Sequence, residues 1–131
     1  PLFVVDKTKK ALGTKGKNLK DSLVLILGVT YKPNVADIRE SPALDILELF
    51  LEVGGDVKYN DPFVPELEVD RYPTLQSCDL SEAVLQSADA LIIVSNHDSY
   101  DLEFIGTNCE LLIDTRNSTQ GMTLDCEVVK L

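Results

Sequence analysis

The chain has little cysteine, one histidine and few cations, and each scarcity closes off a class of function. Its three cysteines, Cys78, Cys109 and Cys126, are odd in number and widely spaced, without a Cys-x-x-Cys pair. That pattern argues against a disulfide framework and, with a single histidine, against a structural metal site. It reads as buried thiols in a reducing compartment, so a cytoplasmic location is expected. No cysteine has an adjacent basic partner that would make it a nucleophile. No apolar run reaches the roughly 18 residues of a membrane span, and the first residues lack the apolar core of a secretory signal. G-x-S-x-G, Walker-lysine and paired-carboxylate motifs are all missing.

What is there is an ordinary globular composition, 44% hydrophobic and 26% charged over 131 residues, which suits one domain. Such a chain buries roughly two-thirds of its unfolded surface and needs no metal or disulfide to hold it. Its net charge of −10 is unevenly spread. Residues 1–20 hold six lysines and one acid, so the remaining 111 residues carry −15 with only six basic side chains. These are Lys32, Arg39, Lys58, Arg71, Arg116 and Lys130. A body this acidic repels polyanions, which argues against nucleic acid as a partner. The lysine-rich start reads as a solvated helix and tail.

Residues 2–12 carry a weak helical pattern ended by Gly13, and 13–21 look like a connector. The chain is therefore expected to begin in the tail of a helix, as a domain cut from a longer protein would. Residues 23–29, L-V-L-I-L-G-V, are apolar throughout, which predicts a strand buried on both faces of a parallel sheet. Ser41 and Pro42 are a helix cap and a first helical residue. Leu44, Leu47 and Leu51 mark one helix face, and Gly54-Gly55 ends it. A strand at 57–61, a loop over 62–79, a helix at 80–88 and a strand at 90–95 follow. Then come a short helix at 98–105, a strand at 109–116 and a last strand from Cys126. Alternating strands and helices predict an α/β fold, a three-layer α/β/α sandwich around a mostly parallel Rossmann-like sheet.

Ligands of such sheets bind off the carboxyl ends of the strands. Three scarce cations fall there: Lys32 and Arg39 after the first strand, and Arg116 at the end of the 109–116 strand. Beside a helix N-terminus they make an anion site, and a diphosphate is the natural guest. The alternative is local ion pairing, Arg39 with Asp37 or Glu40 and Arg116 with Asp114. The first strand is followed by G-V-T-Y-K-P, not the G-x-G-x-x-G that cradles a dinucleotide. Asp61 stands where an acid would hold a ribose, although an Asp-Pro turn explains it equally. His97 reads as a general base near a ligand or, more commonly for a loop histidine, as solvated or capping. Asn96, Asp98 and Ser99 beside it are candidates to cap the following helix.

The string L-G-V-T-Y-K-P-N-V-A-D-I-R-E-S-P-A-L closely resembles the opening of the C-terminal domain of the UDP-glucose/GDP-mannose dehydrogenases. Further segments match in order: G-K-N-L-K, Y-N-D-P-F-V-P, A-D-A-L-I-I-V-S-N-H and I-D-T-R-N. The resemblance covers residues 1–120. The Y-K-P variant, with H-D-S-Y-D-L-E-F and D-T-R-N, is more similar to the UDP-N-acetylglucosamine and UDP-N-acetylmannosamine 6-dehydrogenases.

The resemblance implies a division of labour. An N-terminal Rossmann domain carries NAD and a catalytic cysteine, a central helix builds the dimer, and the C-terminal domain closes over the nucleotide-sugar. It implies that Lys32 and Arg116 contact the UDP-sugar and that Arg39 reaches the NAD held mainly by the N-terminal domain. The family reaction oxidises the sugar C6 alcohol to a carboxylate in two NAD-dependent steps through a cysteine thioester. The G-G-x-C-x-P segment of that cysteine is missing, since Gly54-Gly55 precedes Asp56. No catalytic residue is therefore expected in this chain, and alone it is expected to be inactive. Residues 1–20 are expected to be the end of the central dimerisation helix with its connector, and 21–131 the nucleotide-sugar-binding domain. The resemblance implies a parent that is a homodimer or higher oligomer, and the fragment, with most of the central helix missing, is expected to be monomeric. Charge and apolar pattern lead to neither nucleic acid nor membrane being expected as a partner. The competing expectation is a stand-alone nucleotide-sugar binding or sensor module without catalysis.

Overall fold

The computed structural model describes residues 1–131. Helix α1 (Leu2–Thr14) leads through a 3-10 turn at Leu19–Asp21 into strand β1 (Leu23–Leu27). A long connection then enters α2 (Pro42–Glu52), where Ser41 caps the helix by accepting from the Ala43 N–H and Pro42 takes the first position. Strand β2 (Asp56–Asn60) is followed by a two-residue hairpin ladder, β3 (Glu66–Leu67) with β4 (Leu75–Gln76). Helix α3 (Glu82–Ser87), β5 (Ala90–Ile93), α4 (Leu102–Asn108), β6 (Leu111–Asp114) and β7 (Glu127–Lys130) complete the chain. None of the helices is long and apolar enough to cross a membrane.

The five long strands form one sheet in the order β2-β1-β5-β6-β7, parallel at every pairing. The alternation expected from the sequence is thus the observed architecture. The continuous apolar runs are continuous because both faces are covered. Val24 and Ile26 of β1 pack with Ile46, Leu47 and Phe50 of α2 and with Val4, Val5 and Leu12 of α1. Leu25 and Leu27 face the other way, against Leu85 of α3 and Leu102 and Ile105 of α4. Each such aliphatic side chain contributes about 1.5–3 kcal/mol on burial. The edge strand β2 shows the contrast: Val57 and Tyr59 are buried, whereas Asp56 and Lys58, which alternate with them, are exposed.

Strands β1 and β5 are shorter than the apolar pattern predicts, because their last residues serve as turns, whereas α1 runs past Gly13 to Thr14. Val94 and Ser95 donate their N–H groups to the Leu27 carbonyl and leave the ladder. The expected loop over 62–79 contains the small hairpin and buries Val64, Leu67 and Val69 against the main core. The cap of α4 is Asp101, which accepts from the Phe104 N–H. Asn96, Asp98 and Ser99 do not cap it, and the stretch 97–98 has another use.

The chain runs from β1 outward to β2 and then returns to β5 on the other side of β1. The connections therefore reverse direction between β1 and β5, the switch point at which open α/β sheets hold their ligands.

Candidate functional site

The carboxyl edge is built from the segments that follow β1, β2, β5 and β6. Gly28 ends β1 with φ +82°, and its Cα packs so closely on Ser95 that a Cβ would collide with the Ser95 carbonyl. Only glycine fits there. The close approach draws together the turns after β1 and β5. Ser95 Oγ and Ser41 Oγ both donate to the Thr30 carbonyl, and Thr30 Oγ1 donates to the Lys32 carbonyl at 2.7 Å.

Beneath this edge lie two carboxylates turned inward. Asp61, 1% exposed, accepts from Val29 N–H and Phe63 N–H, both at 2.8 Å, and from His97 Nε2 at 2.9 Å. Every bond is spent within the chain, so Asp61 is not offered to a ribose. Asp114, fully buried, accepts the backbone N–H groups of Arg116, Ser118 and Thr119 and the Thr119 hydroxyl, at 2.7–3.1 Å. Burial pushes its carboxyl up, but the bonds from Thr119, Ser118 and Arg116 outweigh that and hold it below the usual carboxylate range. It fixes the turn that carries Arg116.

His97 is 1% exposed and neither solvated nor capping. Its Nδ1 accepts the Asn34 N–H at 2.8 Å. An imidazole nitrogen that accepts carries no proton, so the ring is neutral with its proton on Nε2, aimed at Asp61. Phe63 and Tyr100 flank the ring at 4.8 and 5.5 Å between centroids. Both ring nitrogens are thus bonded within the chain and the ring is closed off from solvent.

The cations stand above this floor. Lys32 is exposed, near the Tyr31 ring, and has no carboxylate partner within ion-pair distance. Arg116 is exposed, and it is its backbone, not its guanidinium, that meets Asp114. Arg39 follows the other course: its Nε and Nη2 clasp the two oxygens of Asp37 at 3.0 Å with the side chain 86% exposed. That bond holds Asp37 well below the usual range, at about 2. Lys32 and Arg116 follow strands β1 and β6, with β5 between them. Their turns are therefore roughly 10 Å apart.

The edge is an open surface. The largest hollow, about 610 Å³, lies elsewhere, where Leu2, Val5 and Lys9 of α1 meet Leu49, Glu52 and Val53 at the end of α2. Its charges are mixed, and it has no connection to the strand ends. Burial pushes the Cys78 and Cys109 thiols up, so neither offers a ready thiolate.

The inward pairing of Asp61 with His97 was hidden in the sequence, since the two are 36 residues apart. The signal was strand order: if β1 lies between β2 and β5, residues just past both neighbours meet across its end.

Comparison with known proteins adds a family. The UDP-binding domain model of the UDP-glucose/GDP-mannose dehydrogenase family matches residues 25–121. A UDP-N-acetyl-D-mannosamine dehydrogenase of Methanocaldococcus jannaschii is 38% identical over 126 residues, covering 89% of this chain and 26% of that protein. The UDP-glucose 6-dehydrogenase AglM of Haloferax volcanii is 31% identical, covering 88% of this chain and 26% of its own length. Among solved structures, a UDP-D-ManNAc dehydrogenase from Pyrococcus horikoshii superposes with a TM-score of 0.79 at 26% identity, over 99% of this chain and 30% of that one. The chain spans about a quarter of the length of the curated relatives it matches.

Proposed function

Because the chain belongs to the UDP-glucose/GDP-mannose dehydrogenase family, we propose that it is the nucleotide-sugar-binding domain of an NAD-dependent 6-dehydrogenase. The substrate in this reading is a UDP-N-acetylhexosamine, in keeping with the N-acetylmannosamine enzymes among its relatives. The observation that carries the reading is the pair Lys32 and Arg116. Both are exposed and free of carboxylate partners at the switch-point edge of an otherwise acidic body. Arg116 offers a two-pronged donor to phosphate and Lys32 a mobile point charge.

NAD belongs to the parent protein in this reading, and the turn after β1 does not fit its pyrophosphate. The Gly28 N–H is bonded to the Asn60 carbonyl, the Val29 N–H to Asp61, and Gly28 itself is packed on Ser95. A further domain is therefore proposed to hold the cofactor, and Arg39 to reach it from this side. When bound, NAD supplies the hydride acceptor. This chain's residues bind and orient the nucleotide end of the substrate. Residues 1–20 serve as the end of a central helix and its connector, and the parent assembles through that helix.

Titration followed by NMR tests the reading, with UDP, UDP-N-acetylglucosamine, GDP and NAD against wild type, Lys32→Ala and Arg116→Ala. Uridine nucleotides are expected to shift resonances at 30–41 and 114–117, and each substitution to weaken the response about tenfold or more. Shifts confined to other surfaces, or variants that bind as wild type does, would refute it.

A further inference from the structure

The His97–Asp61 pair is buried, takes no part in the contacts assigned above, and still reaches the Lys32 turn. Asn34 stands two residues beyond Lys32 with φ +65°, a conformation asparagine tolerates better than most residues. It is tied at both ends: its N–H donates to His97 Nδ1, and its Oδ1 accepts the Asp98 N–H at 2.9 Å. The His97 ring is in turn fixed by Asp61, which itself clamps the start of the same turn through the Val29 N–H. Lys32 thus sits on a span held at Val29 by Asp61 and at Asn34 by His97.

We propose that His97 is a positioning residue, a neutral imidazole whose bare Nδ1 pins the Asn34 amide and so sets Lys32 over the ligand edge. The inference rests on the reading of Lys32 as a substrate contact. Its chemistry demands the Nε2–H tautomer. Asp61 selects that tautomer by accepting from Nε2, which leaves Nδ1 free to accept. An orienting carboxylate therefore acts on the backbone of a binding turn through the ring between them. With an acceptor missing at the Nδ1 position, the Asn34 N–H loses its partner and the far end of the turn keeps only the bond from the Asp98 N–H to Asn34 Oδ1. Lys32 is then less tightly set, and ordering it on binding weakens affinity.

Two substitutions in the full-length protein separate this role from simple core packing. His97→Asn places an amide oxygen near the Nδ1 position and forgoes Asp61. His97→Gln reaches Asp61 and leaves Asn34 without its acceptor. Both lose ring packing against Phe63 and Tyr100, so both lower the melting temperature. Affinity for the UDP-sugar is expected to fall about tenfold in His97→Gln and to stay within about threefold of wild type in His97→Asn. Hydrogen exchange at the Asn34 amide should be fast in the first variant and protected in the second.

Equal exchange in both variants, or equal affinity losses while Lys32→Ala weakens binding, overturns the positioning role and leaves the binding site standing. If Lys32→Ala binds as tightly as wild type, the site reading falls and the inference with it. Should neither histidine variant fold, nitrogen-15 spectra of wild-type His97 decide. A proton fixed on Nε2 with a scalar coupling from the Asn34 amide to Nδ1 supports the proposal; a proton on Nδ1 sinks it.

Discussion

The two edges of the sheet use charge in opposite ways. At the amino edge, lysines are spent on carboxylates. Lys17 bonds Asp89 at 2.9 Å and Glu110 at 3.1 Å, and Lys15 lies 3.7 Å from Glu110 and 3.6 Å from Glu127. These acids stand at the starts of β5, β6 and β7, so the basic connector is riveted across the sheet. At the carboxyl edge, Asp61 and Asp114 are turned inward and satisfied by N–H groups, and Lys32 and Arg116 keep their charge. Cations next to carboxylates are structural; cations above carboxylates that the backbone has already satisfied remain available to a ligand. A count of charges along the chain sees no difference between the two.

The comparison breaks most sharply at Asp114. Asp114→Ala strands three backbone N–H donors, that of Thr119 buried, and the buried Thr119 hydroxyl, and is expected to cost about 3 kcal/mol or more in urea unfolding. The folded pKa lies below the unfolded value, so this stabilisation is complete above the unfolded carboxylate range. It is lost as pH falls through the folded pKa. A wild-type-minus-variant stability difference that persists undiminished to acid pH would contradict the assignment. Next in size, Lys32→Ala and Arg116→Ala should each weaken UDP-sugar binding by about 1.5–3 kcal/mol by calorimetry. The same substitutions should leave stability within about 0.5 kcal/mol, because neither side chain holds the fold.

Much of this was legible beforehand. The runs L-V-L-I-L-G-V and A-L-I-I-V-S announced strands covered on both faces, and Ser41-Pro42 announced the start of α2. The placement of Lys32, Arg39 and Arg116 off the strand ends followed from alternation alone. Pairing across long separations was not legible. Lys17 meets Asp89 across 72 positions and Glu110 across 93, so the lysine-rich start reads as solvated until the sheet exists. His97 looks like any loop histidine until Asp61 arrives beside it. The local rule did catch Arg39, whose partner Asp37 is two residues away. It could not tell that Arg116, equally near Asp114, would meet it only through its backbone.

At the amino edge the expected effect is smaller and of the reverse kind. Lys17→Met should lower stability by about 1 kcal/mol, most of it vanishing in 1 M salt, with UDP-sugar affinity unchanged. Its Asp89 bond raises the lysine pKa, so the contribution is present at neutral pH and lost as pH rises through that raised value. An affinity loss in Lys17→Met would mean that the two edges are coupled through the sheet.

The smallest effect is expected at the one pair that joins both patterns, Arg39 with Asp37. It lies at the ligand edge but is paired as at the amino edge, and it is wide open to solvent. An exposed pair of this kind is screened and contributes little to the fold, so Arg39→Ala should leave the unfolding midpoint where it was. Its signature is local. The Asp37 carboxyl, followed by NMR, should titrate at about 2 in wild type and move up toward the ordinary aspartate range in Arg39→Ala. In the full-length protein with NAD, Arg39 has two anions to choose between. If it leaves Asp37 for the cofactor, the Asp37 pKa rises on NAD binding without any substitution. An unchanged Asp37 titration in that complex would make Arg39 a surface rivet like Lys17 and remove it from the site.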